Sequence, residues 1–162
     1  MRDIVFAAND GVITTFAIVA GSQGASLSNS IILVLGFANL LADGFSMASG
    51  NYLGVKTEVD YKTSKGEKDS DEGSPFVHGL VTFVGFQIAG IVPLIPFLFD
   101  YPGAFGVSTV FVIIVLLLIG ALRGWAVGKD KLKSSFEMLF IGGFAAVVAY
   151  VVGYVVENYV VK

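Results

Sequence analysis

The sequence predicts an all-α integral membrane protein with five transmembrane helices per subunit, and three observations predict it. First, 55% of the 162 residues are hydrophobic and 14% are charged, with a mean hydropathy of +0.80. A soluble domain carries about a quarter charged residues. Second, the charges are clumped: residues 11–42, 101–122 and 138–156 hold no Asp, Glu, Lys or Arg. Runs of about 20 apolar residues are what a helix needs to cross the hydrocarbon. Third, the cations fall on one side of such a helix set, as worked out below.

The first span, residues 4–21, begins after Met1-Arg2-Asp3 and bears Asn9 and Asp10. That polar pair does not suit the apolar stretch of a signal peptide, so the span is expected to be retained. A short Gly- and Ser-rich connection leads to the second span, 30–54. Residues 55–74 form a polar loop with a dense charge run, long enough for a helical extension at most. The third span covers 75–99, where Pro93 and Pro96 are expected to kink its outer end and Gly90 to loosen the turn before. A Pro turn at 100–102 opens the fourth span, 103–127, and a lysine-rich connection at 128–136 precedes the fifth, 137–159.

Lys and Arg are retained on the cytoplasmic side of membrane proteins. With the N-terminus inside, Arg2, Lys56, Lys62, Lys65, Lys68, Arg123, Lys129, Lys131 and Lys133 are cytoplasmic, and Lys162 alone lies outside. The expected topology is therefore N-terminus in and C-terminus out. An odd helix number excludes a whole-chain internal duplication, so any symmetry must come from a second chain.

Composition excludes several functions. A net charge of −3 and a pI near 5.0 give no basic footprint for nucleic acid. Zero Cys and one His remove disulfide frameworks, thiolate metal sites and His-rich catalysis. No nucleophile–base pair or phosphate loop is present, and the chain is not expected to be an enzyme.

An ionisable group at membrane depth costs about 2.5 kcal/mol or more and normally faces a bundle interior or an aqueous path. Asp10 falls about 9 Å from the cytoplasmic end of the first helix, and Asp43 about 16 Å into the second, at 1.5 Å per residue. Asn39, Asp43, Met47 and Asn51 recur every four residues and share one face. Met47 lies about 10 Å deep, level with Asp10 in an antiparallel pair. Oxygen ligands alone suit Mg²⁺ or Ca²⁺; a thioether beside a carboxylate points to a softer divalent ion such as Fe²⁺. Plainer readings stand beside this one: Met47 as gap-filling packing, a neutral Asp bonded to nearby backbone, Asn9 and Asn39 as interhelical glue, and Thr14 and Thr15 bonding their own helix. Small-residue stripes at Ala7, Gly11, Thr15, at Gly44, Ala48, and at Ala145, Ala149, Gly153 allow close packing within or between chains. Trp125 and Arg123 read as interfacial anchors. Glu58, Asp60, Glu67, Asp69, Asp71 and Glu72, interleaved with Lys, read as a solvated charge run, with a cation-gathering patch that includes His78 as the functional alternative.

The stretch from Asn9-Asp10-Gly11 to Gly21, and Ala38-Asn39-Leu40-Leu41-Ala42-Asp43-Gly44-Phe45-Ser46-Met47-Ala48-Ser49-Gly50-Asn51-Tyr52, resemble the vacuolar iron transporter family. Pro93 to Phe97 and Gly142 to Gly153 extend the resemblance over nearly the whole chain. It implies a parallel five-helix homodimer that moves Fe²⁺, and often Mn²⁺, out of the cytosol in exchange for protons along the dimer axis. It further implies that Asp10 and Met47 line the metal route and that Asp43 relays protons or metal, Asp10 and Asp43 being the proton-coupling pair. Asn39 and Asn51, on the same four-residue face, are the further candidate metal ligands. Two departures stand out. The long glutamate-rich helical domain of plant-type members is reduced here to the charged loop, and Asn51 replaces a Glu common at its position, leaving a carbonyl oxygen without charge.

The resulting expectation is a proton-coupled exporter of divalent transition metal, with Fe²⁺, and also Mn²⁺, Co²⁺ and Zn²⁺, as transported substrate and no permanently bound cofactor. A passive divalent-cation channel and a non-transporting assembly or sensor protein are the alternatives. The compact chain fits a prokaryotic plasma membrane, or a vacuolar membrane if it is eukaryotic.

Overall fold

A computed structural model describes residues 2–66, 73–99 and 102–161. Within them the chain is helical throughout: α1 Arg2–Gly24, α2 Asn29–Ser64, α3 Pro75–Gly90, a 3-10 segment Val92–Phe99, α4 Ala104–Ala126, α5 Lys131–Val155, and a closing π turn Val156–Val160. Four helices are long and apolar enough to cross a membrane, and the bent pair of α3 with the 3-10 segment makes a fifth candidate. The chain is a multi-pass membrane protein. Glu67, Lys68, Asp69, Asp71, Glu72 and Lys162, and the start of the 100–102 turn, lie outside the described residues.

Three boundaries differ from the sequence reading, each for a local reason. The second helix does not stop at Gly54 but runs to Ser64, so the first ten residues of the expected 55–74 loop are helix. No Pro interrupts this stretch, and Glu58 and Lys62 pair at 2.9 Å, four residues apart. At 36 residues, α2 outruns the roughly 20 that a bilayer requires. The third span is not one helix over 75–99: it breaks at Gly90–Ile91 with a bend of 41°, because Pro93 and Pro96 cannot donate the amide bonds an α-helix needs. The fifth helix starts at Lys131 rather than 137, because Asp130 accepts hydrogen bonds from the amides of Leu132 at 2.9 Å and Lys133 at 3.3 Å. Gly128, at φ +67°, turns the chain between α4 and that cap.

α1 is the central helix and packs against α3 and α5 most extensively, then α2 and α4. Close approach is built from small residues. A Cβ on Gly11 would lie 2.5 Å from the carbonyl oxygen of Phe86, and Gly153 abuts the backbone of Gly21. Gly44 meets the Gln87 side chain, and Gly79 faces the Ala48 carbonyl. The three small-residue stripes are therefore used inside the chain, joining α1 to α3, α1 to α5, and α2 to α3. Phe86, Leu94, Phe97, Val12, Val19 and Leu116 fill the interior.

Polar side chains between the helices donate to backbone carbonyls, one of them at the proline break, as a medium without water favours. Ser108 donates to the Pro93 carbonyl at 2.7 Å, Gln87 to the Leu40 carbonyl at 2.8 Å, and Ser135 to the Leu117 carbonyl at 2.9 Å. The outer surface is apolar, with Phe45, Phe140 and Phe144 all exposed. In lipid such side chains are already in a matched solvent.

Candidate functional site

A cavity of about 650 Å³ opens at the end of the bundle that carries the N-terminus. α1 contributes Arg2, Asp3, Phe6 and Asp10; α2 contributes Met47, Gly50, Asn51, Gly54, Val55 and Glu58; α3 contributes Thr82. Packing of α1 and α2 brings Asp10 and Met47 to this one space.

The four-residue spacing on α2 has a uniform structural result: Asn39, Asp43, Met47 and Asn51 are all half-buried. They do not all reach the cavity. Met47 and Asn51 line it, whereas Asp43 and Asn39 lie outside its wall. Asp43 is nevertheless near enough to Asp10 for the two carboxylate charges to interact. The side-chain nitrogen of Asn39 is buried and has no hydrogen-bond partner.

Asn51 is fixed by α3. Its amide nitrogen donates to Thr82 Oγ1 at 2.7 Å and to the His78 carbonyl at 3.3 Å, while Thr82 Oγ1 donates to the same carbonyl at 2.8 Å. With the N–H groups committed, the carbonyl oxygen is what Asn51 can offer an ion. Thr14 donates to the Asp10 carbonyl at 2.8 Å, bonding its own helix as expected. Thr15 does not: its hydroxyl is fully buried without a partner. Asn9 likewise has a buried side-chain oxygen without a partner, so that atom glues no helices together.

The mouth carries charge. Asp3 meets Nδ1 of His78 and lies 3.8 Å from Nε of Arg2, and Glu58 holds Lys62. Glu58, read in sequence as a loop residue, is on helix and in the cavity wall. Sequence reasoning missed Asp3 and Thr82, whose partners lie 75 and 31 residues away respectively. It also missed Gln87, the one amide in an apolar run, which clasps α3 to α2 between Asn39 and Asp43. That lone amide was the available signal.

Of the three carboxylates in the cavity wall, Asp3 meets His78 and Glu58 meets Lys62; Asp10, the thioether of Met47 and the amide oxygen of Asn51 are the further donors the chain offers there. Among the described residues no three His, Asp or Glu side chains converge closely enough to hold a metal ion. Beside this face α2 presents Ala38, Ala42, Ser46, Gly50 and Gly54, spaced by four and all exposed. A Cβ on Gly50 or Gly54 would meet nothing within 4 Å.

The model of the VIT family matches residues 1–72 and 62–154. A vacuolar iron transporter of Toxoplasma gondii is 28% identical, covering 94% of this chain and 73% of that protein. Vacuolar iron transporter 1 of Arabidopsis thaliana is 25% identical, covering 98% and 86% respectively. Vacuolar iron transporter homolog 4 of the same plant is 29% identical over 90% and 78%.

Proposed function

The chain belongs to the VIT family, and on that premise we propose that it carries divalent transition-metal ions, Fe²⁺ first and Mn²⁺ second, out of the cytosol against a return flow of protons. It is a transporter and not an enzyme, in keeping with the names of its relatives. The observation that carries the reading is the convergence of Asp10, Met47 and Asn51, from two helices, on one cavity.

The donor set explains the choice of ion. A carboxylate supplies charge, and a thioether favours later, softer divalent ions over Mg²⁺ or Ca²⁺. Three donors leave the coordination of such an ion incomplete. A second copy related by a two-fold axis along the exposed small-residue stripe of α2 doubles the set to two carboxylates, two thioethers and two amide oxygens. Small side chains on that stripe let the two α2 backbones approach closely enough.

Proton coupling follows from electrostatics. A doubly charged ion among carboxylates stabilises their ionised form, and protons discharge the same oxygens once the ion leaves. Asp10 alternates between the two, and Asp43, within electrostatic reach, passes the proton on. The orientation that goes with this reading puts Arg2 and the α4–α5 turn in the cytoplasm and the end of α5 outside.

The test is reconstitution into proteoliposomes with Fe²⁺, Mn²⁺, Co²⁺ or Zn²⁺ under an imposed pH gradient. Fe²⁺ flux with a matching proton counterflow is the expected result. Metal flux indifferent to the gradient identifies a passive channel instead, and absence of flux for every ion identifies an assembly or sensor protein.

A further inference from the structure

A second cavity, of about 570 Å³, lies at the same end of the bundle on the other side of α1. α1 lines it with Arg2, Val5, Phe6 and Asn9; α4 with Arg123, Ala126 and Val127; and α5 with Glu137, Met138 and Ile141. Metal transport as read above makes no use of it. We propose that this cavity binds the headgroup of an anionic phospholipid, with the upper acyl chains against its apolar walls.

Depth supports this occupant. Trp125, 63% exposed and two residues from Arg123, marks the level where aromatic side chains meet the bilayer interface. The cavity therefore opens where headgroups sit. Its walls are apolar, and Phe6, Val127 and Ile141 are exposed to the lipid side. Its rim carries two guanidiniums, which match phosphate oxygens in pairs.

Charge supports the anion. Lys129, Lys131 and Lys133 are exposed on the adjoining turn and helix start. The nearby acids are engaged: Asp130 caps α5, Asp3 meets His78 in the other cavity and lies 3.8 Å from Nε of Arg2, and Glu137 holds Nη1 of Arg123 at 3.1 Å. One of the five guanidinium donors of Arg123 serves Glu137, and the others remain to take phosphate. Basic pockets between helices at a membrane surface bind anionic headgroups by this chemistry. At the inner end, the side-chain oxygen of Asn9 lacks a partner and accepts from a headgroup hydroxyl or from water beneath it.

The Arg123–Glu137 pair gives a test by sign. Native mass spectrometry of the detergent-released full chain is run with phosphatidylglycerol, phosphatidylcholine of the same acyl chains, and free glycerol phosphate. Phosphatidylglycerol is retained in preference to phosphatidylcholine, and free glycerol phosphate does not displace it. Arg123→Gln weakens retention about fivefold, the worth of one basic residue at a membrane surface. Glu137→Gln removes the competing carboxylate and strengthens retention. If both variants weaken it, the pair is merely a structural tie and the proposal fails. Equal binding of phosphatidylcholine, or displacement by glycerol phosphate, overturns it as well. Metal flux is no part of the readout, so failure here leaves the transport reading untouched.

Discussion

Asp10 and Met47 approach one cavity from opposite helices with different chemistry, and their substitutions separate accordingly. Asp10→Asn keeps shape and hydrogen bonding but removes the charge. Fe²⁺ uptake into proteoliposomes is expected to fall to that of empty vesicles, and wild-type flux would overturn the assignment. Met47→Leu keeps volume and apolarity but removes the sulfur. Transport is expected to persist with poorer discrimination of Fe²⁺ from harder ions, read by competition among metals. That these two residues line one cavity was legible in the sequence both from helical rise, which fixes depth, and from the motifs that carry the family resemblance. Asn51 was legible as an oxygen donor but not as one anchored by Thr82, since their contact joins residues 31 apart and no periodicity reports it. Thr15 shows the opposite limit: a hydroxyl in a helix usually bonds its own backbone, and here packing against the Gly90 region leaves it without a partner.

Single helices carry their own consequences. The clasp from Gln87 to the Leu40 carbonyl, at 2.8 Å, joins α3 to α2 one turn before Asp43. Gln87→Leu removes about 1 kcal/mol of hydrogen bonding, and a lowered melting temperature in detergent together with slower metal flux is expected. Glycines divide by what surrounds them. A Cβ on Gly120 would sit 2.5 Å from Ser135 Cα and 2.6 Å from the Ser134 carbonyl, so Gly120→Ala forces α4 and α5 apart at a cost of about 1–3 kcal/mol. On Gly106 it meets nothing within 4 Å, and Gly106→Ala gains about 0.5–1 kcal/mol of helix stability. Thermal unfolding of the two variants should move in opposite directions. Asp130→Ala removes the cap of α5 and costs about 1 kcal/mol, measured the same way. Helix existence was readable from hydropathy, whereas helix ends were not. A hydropathy window reads apolar length, while α2 and α5 are extended by an ion pair and a cap that it does not weigh.

For the whole molecule, hydropathy reads five apolar stretches, and the structure has four helices long enough to cross, or five if the bent pair of α3 and the 3-10 segment is one span, because a bent helix and a straight one have the same apolar length. Sequence left open which small-residue faces serve within the chain, and the packing answers this: three are consumed internally, and the fourth, on α2 from Ala38 to Gly54, is bare. If two copies meet there, cysteines on that face should bridge. The chain has no Cys of its own, which makes the experiment clean. Ser46→Cys is expected to form an oxidised dimer in membranes, and Phe140→Cys, exposed on α5, is not. Bridging from Phe140→Cys alone would move the two-fold axis away from the cavity. The two stretches of this chain matched by the family share residues 62–72, just where α2 ends. An unbroken helix of 36 residues, longer than the roughly 20 that cross the hydrocarbon, is a natural mast. A rigid reporter spliced onto its tip would inherit the orientation of the helix, giving a small lipid-embedded particle a fiducial for imaging and a fixed origin for distance measurements.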